Sequence, residues 1–111
     1  MSLRLEKADA FREDFALQVL WYVREAGEEV ARRFEPAVDA TLRRLCAQPD
    51  LGRVRHFRHP KLKGLRSLPV DHPFRRFLVF YRVAGEVLQA VRLMHGARDL
   101  PRRFSEPPGR E

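Results

Sequence analysis

The apolar positions in the first half of the chain follow the period of an α-helix. They come after SLRLEK (residues 2–7), where polar and apolar side chains alternate as in a short strand. Two apolar stripes then run at steps of three and four residues: Phe11, Phe15, Val19, Tyr22 and Ala26, and then Val30, Phe34, Val38, Leu42 and Leu45. Gly27 lies between the stripes, and so short a junction predicts two antiparallel helices in a hairpin. Pro36 falls within the second stripe, whose phase continues across it, so we predict one continuous, kinked helix.

The second half of the chain has the composition and alternation of strands. A basic connector, RVRHFRHPKLK (53–63), precedes them. Three strand-like runs follow: GLRSLPV (64–70), RFLVFYRV (76–83) and EVLQAVRLM (86–94). Ala84 and Gly85 form the turn of a hairpin between the last two runs.

The order of these elements is β-α-α-β-β-β, with the strands clustered after the helices. This order predicts an α+β fold in which the helical hairpin packs on one face of an antiparallel sheet. We expect a single domain over residues 1–104, followed by a disordered tail over 105–111, which is rich in proline and charge.

Charge is distributed unevenly between the two halves. Residues 1–50 contain 8 basic and 10 acidic side chains, a net charge of −2, whereas residues 51–111 contain 14 and 5, a net charge of +9. The basic half therefore suits an anionic partner, either nucleic acid or an acidic protein. No apolar run is long enough for a transmembrane helix, and the N-terminus has no leader-like pattern. With a single cysteine, Cys46, on the apolar side of a helix, we expect a cytoplasmic protein that does not contact membranes.

Few residues have a pattern typical of catalysis. The four histidines are scattered, so we expect no metal site and no cofactor. The most distinctive segment is HGARDL (95–100), directly after the last strand. From the residues alone it fits three interpretations: a catalytic cluster of His95 to Asp99, a docking point, or a polar strand end.

Four segments together resemble one family. They are PDLGR (49–53), GLRSLPV (64–70), FLVFYRV (77–83) and the run from Ala84 through HGARDLP (95–101), and they follow a helical hairpin. This combination is similar to the RelE/ParE superfamily of bacterial toxins, and most similar to its ParE branch. The resemblance covers nearly the whole chain and implies the same β-α-α-β-β-β fold.

The resemblance implies the toxin of a type II toxin–antitoxin system of the plasmid stabilization kind. A ParE-like toxin inhibits DNA gyrase and is neutralised by a small, acidic, partly disordered antitoxin, so it needs a binding surface rather than a catalytic set. The contact residues expected for the target or antitoxin are basic or flank the last strand: Arg66, Arg75, Arg76, Arg82, His95, Arg98, Asp99, Arg102 and Arg103.

Two alternatives remain open at this point. A RelE-like toxin would be a metal-independent endoribonuclease that cleaves mRNA on the ribosome, with Arg98, His95 and Arg66 as candidate catalytic residues. Leu78 and Phe104 occupy positions where such nucleases place an arginine and a tyrosine, so the acid–base set is incomplete. An inactive relative would act only as a binding module. Whether the protein is an enzyme is therefore undecided by its sequence.

Overall fold

The computed structural model of the protein describes residues 2–96. These residues form two α-helices, five strands and two short 3-10 turns. In chain order they are β1 (Arg4–Lys7), α1 (Asp9–Glu25), α2 (Glu28–Ala47), a turn at Pro49–Leu51, β2 (Arg53–Val54), a turn at Pro60–Leu62, β3 (Arg66–Pro69), β4 (Phe77–Ala84) and β5 (Val87–His95). None of the helices in this part of the chain combines the length and apolarity required to cross a bilayer.

The strands form one sheet in the order β1-β5-β4-β3-β2. The predicted α+β fold is confirmed, with one correction: the sheet is mixed, because β1 pairs parallel with β5 while the other pairs are antiparallel. The direction follows from the path of the chain along the edge of β5. Arg4 pairs with Val87, and the backbone N–H of Ala8 donates to Ala90 O at 2.9 Å. Both contacts show that β1 runs in the same direction as β5.

The strand β2 was not predicted, because its two residues lie within the basic connector. Both side chains are exposed, so no alternation marks them in the sequence. Their backbone nevertheless pairs with β3, where Arg53 lies opposite Ser67 and Val54 opposite Arg66. The connector therefore begins as an edge strand.

The core lies between the helices and one face of the sheet. Helix α2 is continuous through Pro36, as predicted, and its residues Phe34, Val38, Leu42 and Leu45 are almost completely buried. The ring of Phe34 stacks on Phe15 and meets other aromatic rings edge-on, with centroid separations between 5.1 and 5.6 Å. Cys46 is buried, as predicted, and this burial raises the pKa of its thiol.

One buried ion pair joins α1 to β5. Asp14 accepts hydrogen bonds from Nε and Nη2 of Arg92 at 2.7 and 3.0 Å, and from the backbone N–H of Leu93 at 3.0 Å. The side chains of Asp14 and Arg92 are only 8% and 9% exposed. The strand β1 pairs with β5 only as far as Ala90. Beyond that point, the Asp14 carboxylate accepts the hydrogen bond from the Leu93 N–H on the edge of β5.

Asp14→Ala is expected to destabilise the protein by about 3–5 kcal/mol, because it leaves the buried Arg92 charge without its partner. Asp14→Asn should cost less, since an amide oxygen still accepts from Leu93. Urea denaturation monitored by circular dichroism measures both changes, with the exposed Glu25→Ala as the control from the same helix.

The double variant Asp14→Leu/Arg92→Leu separates the ion pair from packing. It should be markedly more stable than Asp14→Ala, because no charge is left buried. A double variant as unstable as Asp14→Ala would show that the unpaired Arg92 charge is not the source of the loss in Asp14→Ala.

Candidate functional site

The segment HGARDL begins at the C-terminal end of β5. His95 lies opposite Phe77 in the β4–β5 ladder, and their rings meet edge to face with centroids 5.4 Å apart. The backbone N–H of Gly96 then donates to Arg76 O at 2.7 Å. The exposed His95 and the start of β4 are therefore fixed at one end of the sheet.

Two exposed arginines lie at this same end of the sheet. Arg75 and Arg76 immediately precede β4, and neither has an ion pair within residues 2–96. Arg76 also acts on the phenol of Tyr22: burial raises the pKa of Tyr22, and the positive charge of Arg76 opposes that rise. The side chain of Arg76 thus lies near Tyr22, whose ring packs against Phe77.

The connection that carries these arginines is held on α2. Thr41 Oγ1 accepts a hydrogen bond from the backbone N–H of Asp71 at 2.9 Å and donates to Ala37 O at 2.8 Å. The Asp71 carboxylate pairs with Arg44 at 2.8 Å. Because Thr41 is fully buried, the residues that lead into β4 start from a fixed point on the helix. Arg75, Arg76 and His95 therefore form a positioned surface, which we call the β5-end surface.

Arg66 lies elsewhere and has partners in its own chain. Its Nη1 donates to Gly52 O at 2.9 Å, and its Nη2 lies 3.6 Å from the carboxylate of Asp50. Tyr81 lies directly opposite Arg66 in the β3–β4 ladder. The Tyr81 hydroxyl donates to Pro49 O at 2.6 Å and accepts from the backbone N–H of Gly52 at 2.9 Å.

Gly52 is required at this junction. A Cβ at position 52 would lie 2.6 Å from Cε1 of the Tyr81 ring and closer still to the hydroxyl, so no other residue fits without displacing the buried tyrosine. The motif residues PDLGR and FYR are thus two parts of one structural contact. Their hydrogen bonds hold the C-terminal end of α2 and the strand β2 against β4, in the middle of the sheet.

Arg82 and Arg55 lie on or against the sheet face away from the helices. Arg82 Nη2 donates to Lys61 O at 2.7 Å, while its Nε is buried without an acceptor in the described chain. Arg55 Nε donates to Ser67 Oγ at 2.8 Å, and its guanidinium carbon lies 5.6 Å from the centroid of Phe80. Burial lowers the pKa of Arg55, and the charge of Arg53 acts in the same direction. The basic connector therefore covers Phe80, which is completely buried.

The structure separates the predicted site residues into two groups. Arg75, Arg76 and His95 lie at one end of β4 and β5, whereas Arg66 and Arg82 lie four to five residues further along β4, about 14–17 Å away. His95 and Arg66, two of the three residues proposed for the nuclease alternative, are not brought together. Arg98, Asp99, Arg102 and Arg103 lie outside the described residues. Within residues 2–96 no three His, Cys, Asp or Glu side chains form a group able to hold a metal ion.

Sequence reasoning missed what joins Arg76 to the helices. The aromatic residues Tyr22 and Phe74 support the β5-end surface, with ring centroids 5.4 Å apart. Tyr22 was assigned to the apolar stripe of α1, and no pattern in the sequence relates it to residue 76. The role of Arg55 as a cover for Phe80 was also missed, because an arginine in a basic run reads as a solvated charge.

Comparison with known proteins identifies the family. The profile of the ParE toxin of the type II toxin–antitoxin system parDE matches residues 5–100. This chain therefore belongs to the ParE toxin family. Among solved structures, a chain of the chromosomal ParDE TA system from P. aeruginosa has the same fold, with a TM-score of 0.69 and 21% sequence identity over 86% of this chain and 98% of that one. A search of curated protein sequences found no match.

Tyr81→Phe is expected to destabilise the protein by about 1–3 kcal/mol, because Gly52 N–H loses its acceptor inside the protein. Tyr22→Phe is the matched control: its hydroxyl has no hydrogen bond within residues 2–96, so it should cost much less. Chemical denaturation at neutral pH measures both. Equal losses in the two variants would contradict the role assigned to the Tyr81 hydroxyl.

Tyr81 also gives stability a dependence on alkaline pH. Burial raises the pKa of Tyr81 above the ordinary 10.0, although the Gly52 hydrogen bond and Arg66 oppose the rise. The folded state therefore holds the phenolic proton more tightly than the unfolded state. Its contribution to stability is complete below pH 10 and is lost as the pH rises through the folded pKa. The loss of stability above pH 10 should be smaller in Tyr81→Phe than in the wild type.

Proposed function

We propose that this ParE-family toxin inhibits DNA gyrase by binding through its β5-end surface. The observation that carries the proposal is that Arg75, Arg76 and His95 are exposed together on a rigid end of the sheet. The two arginine charges on this surface suit recognition of an anionic protein or protein–DNA surface. The other expected contacts, Arg98 and Asp99, follow Gly96 in sequence and lie outside the described residues.

The described residues favour binding over nucleolysis. Arg66 and Arg82 donate to carbonyl oxygens of their own chain and contribute to holding the sheet together. A general base for RNA cleavage must itself lie within hydrogen-bond reach of the ribose hydroxyl. His95 and Arg66 are too far apart along the sheet to share one nucleotide.

An antitoxin partner is the second part of the proposal. The similar P. aeruginosa structure is of a ParDE TA system. A toxin of this family would be neutralised by its own small antitoxin. An acidic, partly disordered segment that orders on binding would pair with Arg75 and Arg76. The complex would form in the cytoplasm, where gyrase acts.

The test uses purified toxin, freed of any partner, in a gyrase supercoiling assay with a cleavage-complex readout. Wild-type protein should inhibit supercoiling and trap cleaved DNA. Arg98→Ala should abolish both effects, and Arg75→Ala/Arg76→Ala should weaken them. Arg75 and Arg76 are exposed, so their removal should cost little stability. Arg43→Ala, an exposed arginine on α2, is the control and should act like the wild type.

A parallel assay with translating ribosomes distinguishes the alternatives. Cleavage of mRNA at defined codon positions, with gyrase unaffected, would contradict the proposal and favour the RelE-like reading. Induction of the toxin alone should also stop bacterial growth. Unimpaired growth with stable, folded protein would contradict a toxic function altogether.

A further inference from the structure

The outer face of α1 carries apolar side chains that the protein itself leaves uncovered. Leu17, Leu20 and Trp21 are 43%, 54% and 52% exposed, although the same helix buries Phe11 on its inner face. Leu17 and Trp21 are four residues apart and Leu17 and Leu20 three apart, so the three side chains lie side by side. Clustered apolar side chains on an exposed helix face mark a contact surface rather than scattered surface residues.

The charges on this face are arranged symmetrically about the leucines. Glu13 precedes Leu17 by four residues and Arg24 follows Leu20 by four. All four side chains are exposed, and within residues 2–96 neither Glu13 nor Arg24 has an ion pair. The spacing of four, three and four residues is that of one seam in a coiled coil. We call Glu13, Leu17, Leu20 and Arg24 the α1 seam.

The α1 seam is complementary to itself when a second copy is turned end over end. In an antiparallel pair with its two-fold axis between residues 18 and 19, Leu17 meets Leu20 of the other copy, and Glu13 meets Arg24. Each contact occurs twice, as a closed two-fold interface requires. A parallel pair would instead place Glu13 against Glu13 and Arg24 against Arg24.

We propose that two copies of this chain associate through the α1 seam in an antiparallel two-fold arrangement. Trp21, on one flank of the seam, is covered in the pair and shields the leucines from water. The buried Asp14–Arg92 pair fixes the rotation of α1 on the sheet. The α1 seam therefore faces solvent, where it can contact a second copy. The β5-end surface and the α1 seam use different residues, so the proposal is independent of the gyrase target.

The first test measures mass against concentration for the purified full chain. Sedimentation equilibrium over about a hundredfold concentration range should show a reversible shift from 13.0 kDa towards twice that mass. Trp21 fluorescence should shift to shorter wavelength over the same range, because pairing removes the indole from water. A mass that stays at one chain throughout would overturn the proposal.

Charge reversal then tests the symmetry. Glu13→Arg places two arginines against each other at both ends of the seam, and Arg24→Glu does the same with two glutamates. Each should weaken association by about tenfold or more. An equimolar mixture of the two single variants should associate again, because every contact in the mixed pair joins opposite charges. The double variant Glu13→Arg/Arg24→Glu should also associate like the wild type.

Matched controls carry the same charge changes off the seam. Glu25→Arg and Arg12→Glu alter exposed residues of α1 that lie away from the seam, and both should associate like the wild type. Circular dichroism confirms that each variant is folded. If the single variants lose association and the mixture does not regain it, the antiparallel two-fold pairing is wrong. Leu20→Asp provides a further check, since it should abolish association while leaving the buried core intact.

Discussion

The carboxylate of Asp14 fixes helix α1 against strand β5. Within the described chain it receives three hydrogen bonds, two from the Arg92 guanidinium and one from the Leu93 backbone. The strand β1 is too short to cover the whole edge of β5, and a buried, unpaired backbone N–H would be costly. Asp14, on helix α1, accepts the hydrogen bond from the Leu93 N–H. Helix α1 is therefore attached to β5 directly beyond the end of β1. The rotation of α1 then follows: Phe11 and Tyr22 turn inward, and Leu17 and Leu20 turn outward.

A second junction fixes the other side of the sheet. The Tyr81 hydroxyl bridges Pro49 and Gly52, and Arg66 donates to the same short segment. Both junctions work in the same way, since a polar group on one element satisfies backbone groups of another where regular pairing ends. This explains why the family-like motifs PDLGR and FYR occur together here. What the two motifs share in the structure is the close approach between Gly52 and Tyr81.

The sequence predicted the elements that bury apolar side chains in a regular period, and it was weaker where polar groups decide the structure. The stripes of α1 and α2 and the alternation of β4 were sufficient for the α+β fold. The parallel pairing of β1 was not predictable, because Arg4 and its partner Val87 are far apart in sequence and no local pattern relates them. The strand β2 left no alternation to detect. For the candidate site, the sequence named the arginines as contact residues, but their division into two groups depends on β4–β5 register, which no single-residue pattern contains.

Helix α1 illustrates a constraint that small domains share. A helix beside the edge of a sheet can direct only one face into its own core, so apolar side chains on the opposite face must meet water or a partner. Leu17, Leu20 and Trp21 gain nothing for folding in their exposed positions, and exposed apolar side chains favour association with any apolar surface available. The charges at Glu13 and Arg24 limit that choice, because a partner must present opposite charges at matching distances. A second copy of the same helix meets this condition without any further residue, whereas an unrelated surface would have to match both the leucines and the two charges.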